Sequence, residues 1–338
     1  MDDSNRSGNA VLNRVVIVDA LQQNKTVACA TAASFVSTLA GYPLDSLKSR
    51  LQASRVPMSV PSLAVAVFRE EGVAGFFRGL WIPLMTISAV RAASFTIYGN
   101  TKEFLKTRDL LTKFNFLNVA GAGGLGGAMA GALISFGSAP FELMKIRRQL
   151  EFSIALEKGQ KCLKPPGTLQ ALKDIIQVAG FRGLYTGFRL HFLRDTSGTA
   201  LYFLEYDGFR YLMGRRLSGE QGDPPTWLPI HPTLIPFLCG SLAGVTSWAL
   251  IYPLDVVKTK VQQRALAGKP RRTVLETLHR LIRGPDPDHP KPVVSGITRL
   301  YRGLGVSALR SVTTHGLLWT VFDYVSGYID RLPRKLED

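Results

Sequence analysis

Cysteine is scarce: Cys29, Cys162 and Cys239 are the only three in 338 residues, far apart and without CxxC spacing. That excludes a disulfide framework and argues against a zinc site, leaving packed thiols as the simplest reading. The five histidines (His191, His231, His279, His289, His315) form no ligand spacing either, so no metal site is expected. Acids are also scarce, with 25 Asp and Glu against 41 Lys and Arg, for a formal charge of +16. Charge of either sign makes up only 20% of the chain, while 46% is hydrophobic. A basic chain usually meets nucleic acid, an anionic membrane surface or anionic small molecules. Nucleic-acid binders show basic stripes on polar modules; here the charges fall between apolar blocks rich in Gly, Ala, Ser and Thr, so nucleic acid is excluded. Such blocks suit closely packed membrane helices. The N-terminus, MDDSNRSGNAVLNRVV, has neither a basic n-region before an apolar run nor an Arg-rich, acid-poor pattern. We expect a mobile tail over residues 1–24.

What the chain does contain is a repeat. An uncharged stretch from Thr26 to Tyr42 ends on Pro43, Asp45 and Lys48. The pattern returns as Pro140, Glu142 and Lys145 and as Pro253, Asp255 and Lys258, at offsets of 97 and 113 residues. Each copy adds a second base (Arg50, Arg147, Lys260) and then a glutamine (Gln52, Gln149, Gln262). At average residue usage P-x-[DE]-x-x-[KR] arises at roughly one position in a thousand, so three near-evenly spaced copies are a repeat. Proline removes a helix donor and bends the chain, and a buried charge is costly unless paired. Charges at three kinked helix ends therefore ask for partners from the other copies.

The rest of the unit recurs too. Upstream of each proline stands a pair of small residues one turn apart: Ala30 and Ser34, Gly127 and Gly131, Gly240 and Gly244. These let a neighbouring helix approach closely. Downstream come short amphipathic helices at Ser62–Glu71, Leu169–Ala179 and Val274–Arg283, and then Phe77-Arg78-Gly79, Tyr185-Thr186-Gly187 and Tyr301-Arg302-Gly303. A glycine precedes each aromatic: Gly72, Gly180 and Gly296. A second apolar helix follows, reaching Tyr98-Gly99, Tyr206-Asp207 and Phe322-Asp323. We expect an all-α membrane protein with repeats at 25–108, 115–216 and 232–332. Its long helices should span about 26–52, 83–106, 116–149, 188–213, 232–263 and 305–329, most longer than the ~20 residues that cross a bilayer. Pro-rich loops are expected at Lys164–Gly167, Gly222–Pro232 and Gly284–Val293. A soluble α-solenoid fits poorly, since its periods run nearer 20–50 residues.

From about residue 25 to 330 these motifs resemble the mitochondrial carrier family. The resemblance implies six transmembrane helices in a pseudo-threefold barrel, short surface helices on the matrix side, and both termini in the intermembrane space. It implies a multi-pass, monomeric protein of the inner membrane that exchanges a small anionic metabolite by alternating access, is no enzyme and needs no cofactor. Cardiolipin is implied as a bound lipid at the aromatic-x-Gly elements and short-helix starts, where backbone N–H groups suit phosphates. A matrix gate is implied, pairing Asp45 with Lys145, Glu142 with Lys258 and Asp255 with Lys48, with Gln52, Gln149 and Gln262 as braces and Pro43, Pro140 and Pro253 as kinks. The opposite, cytoplasmic gate departs from the family pattern. Lys102 keeps its base but Gly99 has replaced the acid; Asp207 and Arg210 are intact; Asp323 keeps its acid but Ser326 has replaced the base. If Asp323 pairs with Lys102, then Asp207 faces Ser326 and Arg210 faces Gly99. Only one ion pair would survive, and a resting preference for the cytoplasm-open state follows.

Charges in membrane helices are expensive and usually functional. The family's substrate contacts fall on Thr86, Arg194 and Arg310, with Asp195 beside Arg194 and Arg91 about one turn beyond Ile87. Thr38 and Ser135 are further polar candidates. Guanidinium forks match carboxylates, and the Arg194-Asp195 pair is similar to that of members carrying amino acids, ornithine-like compounds or carnitine esters. Two readings stay open: an amino-acid-like substrate, or a di- or tricarboxylate favoured by the surplus positive charge. A nucleotide or cofactor carrier would need aromatics placed for stacking. A non-transporting membrane protein on the same fold is the remaining alternative.

Overall fold

The computed structural model describes residues 18–53, 60–77, 80–157, 173, 175–177, 180–216, 221–266, 270, 272–284, 292–301 and 304–332. Its long helices follow the repeat. They are α1 (Lys25–Ala53), α3 (Trp81–Thr107), α4 (Phe116–Glu157), α5 (Phe188–Leu212), α6 (Ile235–Leu266) and α9 (Leu304–Asp330). Shorter ones are α2 (Val60–Phe76), α7 (Val274–Arg283) and α8 (Val293–Leu300). Helix also occupies 18–23, so the segment expected as tail is structured at that end. The short helix expected at Leu169–Ala179 is helical at 173 and 175–177, the parts of it that are described. The Pro-rich stretch at Lys164–Gly167 lies outside the described residues, as do 285–291 of the third-repeat insert.

Pro43, Pro140 and Pro253 lie inside α1, α4 and α6 without ending them. Each removes one ladder hydrogen bond, so the helices continue because their remaining turns hold. α4 has 42 residues; at 1.5 Å per residue it runs about 63 Å, well past the apolar layer. Among the described residues, three helices are long and apolar enough to cross a membrane: Lys25–Leu44, Phe116–Met144 and Pro232–Gln262. These are α1, α4 and α6. Helices α3, α5 and α9 have 27, 25 and 27 residues, long enough to span, but carry the charged site candidates.

The described chain divides into two compact units. The first comprises Met1–Gly126, Phe203–Val245 and Val306–Asp338; the second comprises Gly127–Tyr202 and Thr246–Gly305. In the first, α1 packs on both α3 and α2. Leu47 of α1 meets Leu63 and Val67 of α2 in one apolar cluster. An aromatic core joins α3, α5 and α9: Tyr206 stacks on Trp319 at 3.6 Å, Tyr98 on Phe203 at 4.1 Å, and Phe95 lies 4.9 Å from Trp319. Small residues allow the close contacts. A methyl group at Gly240 would meet the His315 carbonyl at 2.7 Å, and Ala30 and Ser34 are fully buried. In the second unit, Leu143 and Met144 of α4 pack on Ile175, and α8 packs on α7. Gly131 passes close under the backbone of Asp195. On the outside, Leu39, Leu125, Leu133, Phe141, Leu250 and Leu309 are exposed, as lipid-facing helices require.

The third repeat corrects one expected landmark. Gly72 and Gly180 take left-handed backbone (φ 65° and 64°), and the matching conformation in repeat three belongs to Gly284 (φ 97°). Gly296, the residue expected there, is helical in α8 and lies against the backbone of Ile282. α7 stops at Gly284, and α8 lies between that turn and Tyr301.

Candidate functional site

The residues singled out by the sequence fall into both units. Thr86, Arg91, Lys102, Asp207, Arg210, Arg310 and Asp323 lie in the first; Glu142, Arg194, Asp195, Asp255 and Lys258 lie in the second. The side chains of Asp45, Lys48, Gln52, Lys145 and Gln149 lie outside the described residues, and with them the expected Asp45–Lys145 pair and the Lys48 half of the third pair.

In the first unit the ends of α3, α5 and α9 are tied by ion pairs, and their order differs from the expected one. Lys102 pairs with Asp207 at 2.7 Å and Arg210 with Asp323 at 2.6 Å. Each base reaches the acid of the next repeat, the opposite direction around the set. The pair Asp323–Lys102 is therefore replaced, and Asp207 and Arg210 do not face Ser326 and Gly99. The two losses in the sequence belong together: the acid missing at Gly99 and the base missing at Ser326 are the two halves of the third link. Two pairs survive rather than one, which removes the basis for expecting a cytoplasm-open resting preference.

Further groups reinforce these pairs. Asp207 is fully buried, and the Tyr98 hydroxyl donates to its Oδ2 at 2.6 Å. Lys102 also donates to the Tyr98 oxygen at 3.0 Å. Arg215, beyond the end of α5, donates from Nη1 to Asp207 Oδ1 at 2.9 Å. Arg210 donates to the Tyr206 hydroxyl at 2.6 Å and from Nε to Gln221 Oε1 at 3.0 Å. Sequence reasoning missed Arg215 and Gln221 because they stand outside the repeated motif. The only signal was a basic residue shortly after the intact Asp207–Arg210 pair.

Of the expected substrate contacts in this unit, Thr86 is exposed on α3, and Arg91 and Arg310 are half-buried on α3 and α9. Arg91 Nη1 donates to Ser37 Oγ at 2.6 Å. That partner is the neighbour of the candidate Thr38, which is buried. Ser135 donates to its own helix at the Ala132 carbonyl, 2.7 Å away. His315 lies 2.9 Å from Ser311 Oγ and against Gly244, a helix-packing position.

The second unit gathers three acids and two bases. Arg194 Nε donates to Asp255 at 3.0 Å, its Nη1 pairs with Asp195, and Trp248 stacks near its guanidinium at 5.4 Å. Lys258 lies 3.5 Å from Glu142, a long contact. It is fully buried, and its closer partner is His191 Nδ1 at 2.9 Å. Because an ammonium only donates, that nitrogen accepts, and the imidazole proton sits on Nε2. Nε2 faces Ser138 Oγ at 3.0 Å and Asp195 at 3.4 Å. His191 thus links Lys258 to Asp195, a role invisible in histidine spacing. Gln262 is buried and donates weakly to the Thr186 carbonyl at 3.5 Å. It holds the turn before α5, where its expected role was to brace an ion pair.

At the start of α5 a groove of about 850 Å³ is lined by Arg182, Tyr185, Arg189, Gln262, Arg264 and Arg272, among others. Arg78 and Gly79 and Arg302 and Gly303, of the other two aromatic-x-Gly elements, lie outside the described residues.

The profile described as "Mitochondrial carrier protein" matches the sequence three times, over residues 20–109, 118–217 and 231–331. The chain belongs to the mitochondrial carrier family. Among its relatives, the mitochondrial ornithine transporter 1 of Schizosaccharomyces pombe is 29% identical over 307 residues, covering 88% of this chain and 90% of that protein. The mitochondrial arginine transporter BAC2 of Arabidopsis thaliana is 31% identical, covering 84% of each. The human mitochondrial basic amino acids transporter is 30% identical, covering 88% of each. This carrier is a multi-pass transporter of the mitochondrial inner membrane, not an enzyme, built from three repeats and long apolar helices. Its substrate is a small metabolite.

Proposed function

We propose that this carrier exchanges an amino acid with a cationic side chain by alternating access. The observation that carries the reading is the Arg194–Asp195 pair: an acid and a base stand side by side, matched to the ammonium and carboxylate of an amino acid, with Arg194 also meeting Asp255 and Asp195 also meeting His191. Asp195 and Arg194 are then the contacts for ammonium and carboxylate, and in the first unit Arg91, Arg310 and Thr86 stay proposed as substrate contacts by their forked or hydroxyl donors. The names of the relatives point the same way. A purely anionic di- or tricarboxylate would meet acids in this cluster.

In this reading the helix-end ion pairs are gates. Lys102, Asp207, Arg210 and Asp323 form the cytoplasmic one. Asp45, Lys48, Glu142, Lys145, Asp255 and Lys258 form the matrix one, with Gln52, Gln149 and Gln262 supporting it. Substrate binding must supply the differential affinity that shifts one closed network to the other. The basic groove at the start of α5 is the supporting feature for a bound cardiolipin phosphate, as guanidinium forks and a helix N-terminus suit that group.

The test is exchange in proteoliposomes preloaded with arginine, lysine, neutral amino acids, di- and tricarboxylates, acylcarnitines or nucleotides. Exchange of the cationic amino acids above all others is expected. Exchange confined to di- or tricarboxylates would overturn the assignment.

A further inference from the structure

We infer that Ser37 is a positioning residue for the substrate's carboxylate: from α1 it holds the Arg91 guanidinium of α3 in the orientation that meets that group. This deepens the functional reading above and rests on it, since Arg91 is there a substrate contact.

The observations lie in the first unit, on two helices that pack on each other. Along α1, Ala30, Ser34, Ser37, Thr38 and Gly41 recur at helical spacing and are buried, while Val36 and Leu39 are exposed. A stripe of small residues alone explains close packing and nothing more. What sets Ser37 apart is that it crosses to the neighbouring helix. Arg91 Nη1 donates to its Oγ at 2.6 Å, and that Oγ donates in turn to the Ser34 carbonyl at 3.2 Å. A hydroxyl has a single hydrogen. With that hydrogen spent on its own helix, Ser37 presents lone pairs to the guanidinium. The hydroxyls of Ser34, Thr38 and Ser88 are buried too, and among the described residues they have no hydrogen-bond partner. The seam is therefore no polar zipper holding α1 on α3. Of these four hydroxyls, the one that reaches across meets the arginine.

Arg91 needs a fixed orientation. It comes from α3 and Arg310 from α9, and both lie close enough to His315 for their charges to act on it. Two guanidinium groups thus converge on one part of the unit, and like charges repel. A long side chain left to itself would swing away. The guanidinium is a planar fork, so a bond to one Nη sets the plane in which its other N–H groups point. Because Ser37 sits on a packed helix, that ordering is complete before substrate arrives, which is how preorganisation raises affinity. Ser37 is fully buried and acts through Arg91.

The test is the kinetics of exchange with radiolabelled arginine, or with whichever metabolite of the panel above the wild type exchanges. Ser37→Ala keeps every charge. It should raise KM about tenfold with the maximal rate unchanged, the effect of losing one hydrogen bond to a charged group. Ser37→Thr keeps the hydroxyl and should keep most of the affinity. Arg91→Ala should raise KM further, and Ser37→Ala added to it should change nothing more, because its route to the substrate is gone. Where Arg91→Ala turns over too slowly, the substrate-induced rise in unfolding temperature in detergent gives the same comparison. A wild-type KM in Ser37→Ala would overturn the proposal. So would a loss that Ser37→Ala repeats in full in the Arg91→Ala background, the mark of a packing role. A carrier that exchanges dicarboxylates instead would contradict the substrate assignment and leave the Ser37 comparison intact, so the two fail separately.

Discussion

Asp207 stands near the end of α5 and Glu142 well inside α4, and their surroundings differ as well. Asp207 is fully buried and receives Lys102, Arg215 and Tyr98 within 2.6–2.9 Å. Glu142 keeps 30% of its side-chain surface exposed and meets Lys258 only at 3.5 Å. Lys258 instead rests on a neutral imidazole, and Asp255 is taken by Arg194. One acid is fully enclosed and held by three donors. In the other unit, short contacts gather on Arg194 while Glu142 has a longer one to Lys258. The contrast teaches that equal motifs do not give equal gates. Under the proposed mechanism the first network is the closed one in this structure.

The strongest way to break that contrast is at the tight network. Asp207→Asn removes the fully buried counter-charge of the half-buried Lys102 and Arg215. We expect a stability loss of about 3–5 kcal/mol, the scale for breaking a buried ion pair, read as a fall in the thermal unfolding temperature in detergent. Next come the substrate contacts: Arg194→Ala and Arg310→Ala should each abolish exchange while the protein stays folded. Near-normal rates in both would sink that assignment. His191 should matter less. His191→Leu removes the acceptor for Lys258 and should slow exchange about tenfold, whereas His191→Asn, which keeps an acceptor near Nδ1, should retain most activity; equal rates in both would remove the relay. The smallest effect is at Glu142, which keeps 30% of its side chain exposed: Glu142→Gln should lower the unfolding temperature less than Asp207→Asn, read in the same measurement.

Much of this architecture was legible in the chain. The triple proline motif and the small-residue pairs placed five of the six long helices within a few residues of their observed ends; α4 runs to Glu157, eight residues past the expected 149. Even the proline-bearing helices α1, α4 and α6 stood out from α3, α5 and α9 by charge. The direction of ion pairing was not legible, because motif spacing identifies which residues reach the axis and not which neighbour each one faces. Arg215, Gln221 and His191 were hidden for a related reason. Their importance comes from tertiary contact with a repeated residue, and none of them repeats. Gly296 misled because motif position and backbone conformation part company where an insert intervenes, as Gly284 shows.

The most direct measurement of the central claim is uptake of radiolabelled arginine into vesicles preloaded with unlabelled arginine, compared between the wild-type carrier and Asp195→Asn. The account predicts rapid exchange by the wild type and its loss in the variant, because the acid beside Arg194 is the contact for the amino group. No arginine exchange by a folded wild-type protein that does exchange dicarboxylates, or full exchange by Asp195→Asn, would contradict it.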